Sequence, residues 1–166
     1  MSVPQDDVMQ QLHEEIAGAG TSLPQPLRAI WRTLYWTYER ATWQYPFGGL
    51  QRVGARLVMG SDWPVTSPDP IAAIHTAVTR TSYDDPQPPF LPEQAVDLTT
   101  AFTAYTAGSA WVNGRDRTDG AGVLAPGHAA DLAVLDRDPF GGPPQEIGAA
   151  GVSSTWVGGV RVFGAA

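Results

Sequence analysis

Arg56-Leu57-Val58-Met59-Gly60-Ser61-Asp62-Trp63-Pro64-Val65 is the stretch on which the fold turns. Leu57 to Gly60 are apolar or small with no polar alternation, the pattern of a short strand buried on both faces, as in a parallel sheet. A Gly-Ser-Asp turn follows, and Pro64 prevents continuation as a paired central strand. Asp62 is therefore expected just past the C-terminal end of a buried strand, where α/β folds gather ligands and catalytic groups. Its carboxylate can ligate a divalent metal, take a proton from bound water or hold a cation. It can equally be a turn-stabilising aspartate. Local sequence leaves both readings open.

On either side of this stretch lie helices. Asp6 or Asp7 can cap a helix through Val8, Leu12 and Ile16, ended by Gly18 to Gly20. Leu27 to Gln44 hold Trp31, Tyr35, Trp36, Tyr38 and Trp43, an aromatic helix that reads as core or interface. A short helix is predicted from Phe47 to Val53. Asp69 as N-cap and Pro70 at the first position start another, Ile71 to Arg80. Thr81 to Pro92 is an Asp- and Pro-rich loop of the length that often covers a site. Glu93 to Ala107 reads as a helix burying Ala95, Leu98, Phe102 and Tyr105. After residue 118 short apolar runs alternate with Gly/Pro turns: Gly122 to Ala125, Ala130 to Asp136, Ser153 to Val157 and Val160 to Phe163. These read as strands, the last two joined by a Gly158-Gly159 hairpin turn. Residues 1–118 are thus expected to form an α/β part and residues 119–166 a small all-β part.

Composition narrows the function. The chain has 166 residues and a net charge of −7, which argues against nucleic acid and anionic membrane surfaces as partners. It contains 18 Gly and 15 Pro, so turns and short elements should be frequent. The absence of cysteine excludes a disulfide scaffold and thiolate metal sites and permits a reducing compartment. No apolar run approaches the roughly 20 residues of a membrane span. No basic and apolar leader is visible, so the expected location is the cytoplasm. Phosphate-loop, dinucleotide and nucleophile-elbow signatures are missing, as are His-x-His and His-Glu-x-x-His. His13, His75 and His128 are isolated, and each is expected to be a packing or surface residue.

Gly60-Ser61-Asp62-Trp63-Pro64-Val65, followed by Ile71 to Arg80, resembles the amidohydrolase superfamily, in the branch called amidohydrolase family 3 that includes N-substituted formamide deformylases. Pro126-Gly127-His128-Ala129-Ala130-Asp131-Leu132-Ala133-Val134-Leu135-Asp136 and Thr155-Trp156-Val157-Gly158-Gly159-Val160-Arg161-Val162 resemble that family's entry into its β-sandwich and its closing hairpin. The resemblance implies an α/β fold: the C-terminal portion of a (β/α)8 TIM barrel, its last two strands and their helices, followed by part of a small β-sandwich. It implies hydrolysis of carbon–nitrogen bonds other than peptide bonds in a small-molecule amide, with a divalent metal, zinc above all. Asp62 then matches a metal ligand and catalytic base that takes a proton from the attacking water and delivers it to the leaving nitrogen. Trp63 and Pro64 shape the substrate rim. The family's remaining ligands, histidines and a bridging acid or modified lysine, have no counterpart here. A barrel needs about 250 residues. The chain is therefore expected to be a C-terminal fragment, inactive alone, whose partner is a missing N-terminal half or a second copy of itself. The alternative is a non-catalytic remnant or interaction module.

Overall fold

The computed structural model describes residues 40–164. The chain divides into two compact units, residues 1–45 and 46–166. In the first, residues 40 and 41 are helical and a turn follows, with Trp43 76% exposed. The helix expected through Val8, Leu12 and Ile16, His13, and the aromatic segment before residue 40 lie outside the described residues.

The second unit is a mixed helix-and-sheet fold. Helix α1 (Phe47–Arg52) runs close over the backbone of Glu93 to Ala95: a Cβ on Gly48 would stand 2.8 Å from the Glu93 carbonyl oxygen. The Gly49 N–H donates to Gln94 Oε1 at 2.9 Å. Helix α2 (Pro70–Thr79) starts as the sequence predicts. Asp69 accepts from the Ile71 N–H at 2.8 Å, Pro70 occupies the first turn, and Arg80 ends the helix with φ 59°. Its buried face is Ile71, Ile74, His75 and Ala77.

The single helix expected over Glu93 to Ala107 is broken up. A 3-10 turn (Pro92–Gln94) comes first, and the α-helix α3 (Leu98–Thr103) begins only at Asp97. Asp97 is the reason: its carboxylate accepts from the Thr100 N–H at 2.8 Å and from Thr100 Oγ1 at 2.7 Å, a local cap that fixes the start. A π-helical turn (Ala104–Gly108) leads into α4 (Ser109–Val112), and α5 (Arg115–Thr118) follows.

Three strands form one antiparallel sheet in chain order: β1 (Leu132–Leu135), β2 (Val152–Val157) and β3 (Val160–Phe163). Leu132 pairs with Trp156 and Val157 with Val160, with irregularities after Val134 and Thr155. Gly158 and Gly159 turn the hairpin with φ 55° and 78°, the left-handed conformation that a two-residue turn of this kind requires. The run Gly122 to Ala125 forms no strand; Gly122, at φ 84°, opens a turn pressed on the backbone of Ala107.

One core serves helices and β part alike. Ile71, Ile74 and Ala77 meet Val96, Ala101, Ile147 and Ala150, the last two from the 3-10 turn Pro144–Ala149 and the residue after it. Leu57, Met59, Phe102 and Leu135 lean on the same cluster. Ile74 and Ile147 are the largest fully buried side chains, each contributing about 1.5–3 kcal/mol by burial.

Candidate functional site

Between α1 and α2 runs the segment expected to be a doubly buried strand. Its burial alternates instead: Leu57 and Met59 turn toward the core, whereas Arg56, Val58 and Gly60 are exposed. No strand ladder forms along it among the described residues. The segment is held from one side by the helical stretch. Met59 donates its N–H to the Ala104 carbonyl at 3.2 Å, and its own carbonyl accepts from Ser109 Oγ at 2.9 Å. The π turn places both partners. Gly108 allows the close approach, because a Cβ there would lie 2.5 Å from the Leu57 carbonyl oxygen.

Asp62 stands where this segment leaves the core, on an exposed turn with φ 53°. An aspartate tolerates that left-handed conformation better than most residues. The turn is built by its neighbours and its backbone: the Asp62 carbonyl accepts from the Val65 N–H at 2.9 Å, Ser61 Oγ accepts from the Trp63 N–H at 3.3 Å, and the Ser61 carbonyl accepts from Thr66 Oγ1. The Asp62 carboxylate itself has no hydrogen-bond or ionic partner among the described residues, and the cap of α2 belongs to Asp69. Trp63 (66% exposed) and Pro64, joined by a cis peptide bond, lie beside it in the open.

The histidines do not join the acid. His75 is buried within α2 at 2% exposure, its ring edge-on to Tyr83 at 5.3 Å, and Nδ1 has no hydrogen-bond partner. Burial holds its pKa below the usual histidine range. His128 is exposed and lies flat against Gly120. No group of three or more His, Cys, Asp or Glu side chains converges among the described residues. Asp62 alone is too few ligands for a metal, which needs roughly three or four. The described residues therefore do not fit a divalent ion by themselves. The loop from Thr81 to Pro92 is pinned elsewhere. Its Tyr83 packs on His75 and Gly148, and its neck is closed by the Phe90 N–H donating to the Arg80 carbonyl at 2.9 Å.

One feature had no sequence signal. At the other end of the segment from Asp62 opens a groove of about 440 Å³, lined by Arg56, Leu57, Thr100, Thr103, Trp111 and Asp116 among others. The Arg56 guanidinium lies 4.7 Å from the centre of the Trp111 ring. Asp62 is not part of its lining. The pairing of residues so distant in sequence depends on the turn at Ala104–Gly108, which no periodicity announces.

Comparison with known proteins bears on this acid. The family described as amidohydrolase matches residues 3–163. Protein LONG AFTER FAR-RED 3 of Arabidopsis thaliana is 32% identical over 75% of this chain and 21% of its own length. The N-substituted formamide deformylase of Arthrobacter pascens is 32% identical over 70% of this chain and 21% of its own. A Bacillus subtilis (strain 168) protein named as the amidohydrolase YtcJ is 30% identical over 63% and 20%. The chain thus spans about a fifth of the length of these relatives. No solved structure matches it.

Proposed function

Because the chain belongs to the amidohydrolase family, we infer that it is the Asp62-bearing part of a hydrolase of carbon–nitrogen bonds other than peptide bonds. The observation that supports this most directly is the carboxylate of Asp62. It sits on a hydrogen-bonded turn, is exposed, and takes no part in holding that turn. A turn-stabilising aspartate would spend its oxygens on nearby N–H groups, as Asp69 and Asp97 do. Asp62 keeps its oxygens available for chemistry.

In this reading Asp62 is the proton carrier. An amide nitrogen cannot depart as an anion near neutral pH, so it must be protonated as the carbon–nitrogen bond breaks. Asp62 receives the proton released by the attacking water and returns it to that nitrogen. Trp63 and Pro64 form the rim against which the substrate lies. The substrate class is a small-molecule amide; an N-substituted formamide is the first choice, from the name of the Arthrobacter relative. The family works with divalent metals, zinc being our expectation here. The described residues bring no group of three or more ligands together, so the rest of such an ion's shell comes from outside them. We keep the proposed division between residues 1–118, which present the acid, and 119–166, which support it. The reading takes neither nucleic acid nor membrane as partner and places the reaction in the cytoplasm; no helix among the described residues is long and apolar enough to cross a membrane.

A second reading, a non-catalytic interaction module, is favoured by the same lack of converging ligands. A chimera separates the two. Residues 3–163 replace the matched segment of the Arthrobacter deformylase, and hydrolysis of an N-substituted formamide is measured with Asp62 and with Asp62→Asn. The enzyme reading expects activity in the first and a fall of about 10²- to 10⁴-fold in kcat in the second. An active chimera indifferent to Asp62→Asn would sink the assignment, and a folded but inactive one would favour the module.

A further inference from the structure

Thr81 to Phe90 form a strap that is tied at its neck, bonded within itself and fastened to the body by an aromatic ring. At the neck the Arg80 Nε–H donates to the Phe90 carbonyl at 3.0 Å, beside the backbone bond between the same two residues. Inside, Thr81 Oγ1 accepts from the Gln87 N–H at 2.9 Å and donates to the Gln87 carbonyl at 2.8 Å. Arg80, at φ 59°, and Leu91, at φ 49°, stand just outside the two ends. Left-handed backbone is uncommon away from glycine, and such positions gather in switch regions. Ser82 to Phe90 are all exposed. Tyr83 is the side chain that reaches the body beneath: its ring meets the His75 ring of α2 at 5.3 Å and 76° and lies on Gly148 of the 3-10 turn, where a Cβ would collide with it.

The ring that Tyr83 covers cannot take a charge where it lies. Protonation puts an N–H on both nitrogens of an imidazole. Nδ1 of His75 is buried without an acceptor, so the charged ring needs water, and water reaches it when Tyr83 leaves. No acid on the packed elements is turned to receive it. Glu146 of the 3-10 turn folds back on Gly142, Asp97 at the start of α3 is bound to Thr100 and Gln51, and Tyr105 leans on the core. On α2 itself Asp69 caps the first turn and Arg80 holds Phe90, while Asp84 and Asp85 lie in the exposed part of the strap. We propose that the contact of Tyr83 with His75 is a pH-sensitive latch, and that protonation of His75 frees the strap to swing about Arg80 and Leu91 while the core beneath stays folded. In the open form His75 titrates near the ordinary value of about 6.5, and in the closed form burial holds it lower. Protons therefore favour the open form as pH falls below about 6.5, and between pH 7.5 and 5.5 the open-to-closed ratio rises by up to about tenfold.

The test reads a distance in the full chain and not hydrolysis, so it succeeds or fails independently of the enzymatic reading. The chain has no cysteine. Pro86→Cys on the strap and Gln145→Cys on the 3-10 turn, both at exposed positions, therefore take spin labels at those two places alone. Pulsed electron spin resonance should show a short distance at pH 7.5 and a longer one growing in at pH 5.5. The ratio of long to short should rise severalfold, and by at most about tenfold, with circular dichroism unchanged. His75→Phe keeps a ring against Tyr83 but takes up no proton, and its ratio should not move with pH. Tyr83→Ala should be open at both values. Four results overturn the proposal: a ratio indifferent to pH; a pH response that survives His75→Phe, which would give the switch to His128 or another group; a distance that shortens in acid, which would mean that the Tyr83 ring holds the imidazolium; or lengthening that accompanies loss of helical signal, which would make the event global unfolding. If His75→Phe does not fold, a pH response that persists in Tyr83→Ala overturns the proposal in its place.

Discussion

His75 is an imidazole buried in α2 with its Nδ1 unpaired, and desolvation lowers its pKa. The folded chain therefore binds this proton less readily than the unfolded chain, whose histidine titrates near about pH 6.5. Above that pH both forms are neutral and nothing is lost. Below it the unfolded state takes up the proton first, so stability falls as pH drops from about 6.5 toward the lowered folded value. Urea unfolding at pH 7.5 and 5.5 should show this loss, and His75→Phe should remove most of its slope. The carboxylates cannot mimic it. Asp97, Asp119, Asp131 and Asp136 are held low chiefly by hydrogen bonds, and their contributions fade only below the usual carboxylate range, near pH 4. Asp62 gives the contrast: with no partner for its carboxylate, Asp62→Asn should leave stability within about 0.5 kcal/mol of the parent. The position of Asp62 was legible from Gly-Ser-Asp-Trp-Pro. Its idle carboxylate was not, because an aspartate in a turn reads the same whether or not it caps anything.

Elements were legible in proportion to how local their causes are. Asp69-Pro70 announces α2 and Gly158-Gly159 announces the last hairpin, since each signal and its effect lie within a few residues. The split of the Glu93 to Ala107 helix hangs on competition between Asp97 and a longer helix, and the π turn hangs on Met59 and Leu57, far away in sequence. The segment 56–60 looked doubly buried because its composition is apolar; the alternation comes from which partners are present, and composition does not record that. Glycine substitutions test this account. Gly108→Ala puts a methyl group into the Leu57 carbonyl and should cost about 1–3 kcal/mol. Gly49→Ala meets only the ends of two flexible side chains, Gln94 Oε1 at 3.4 Å and the Arg52 guanidinium at 3.9 Å, and should be neutral or stabilising by up to about 1 kcal/mol, through better helix propensity. Denaturant midpoints of the two variants should move apart accordingly.

Across the second unit, apolar surface remains uncovered. Val157, Val160, Val162 and Phe163 are all more than half exposed on the last hairpin. Against this stands a net charge of −7, which keeps copies apart. Salt shortens the reach of that repulsion from about 30 Å at 0.01 M to about 3 Å at 1 M. The isolated chain should therefore associate more, not less, as salt rises, by light scattering at fixed protein concentration; Val162→Lys should reduce the effect. An association that weakens with salt would place charge pairing, not apolar contact, at its origin. At this scale the sequence told least, because exposure depends on what the rest of a longer protein would cover. The loop between Arg80 and Phe90 has a different kind of consequence. Its ends are tied by a backbone bond, Thr81 Oγ1 grips Gln87 inside it, and Asp84, Asp85 and Pro86 form an exposed tip. Such a tip is where lineages can lengthen a protein without refolding it. Descendants of this chain have a ready place there to acquire new sequence, a tag or a whole inserted module, while the helices beneath keep their packing.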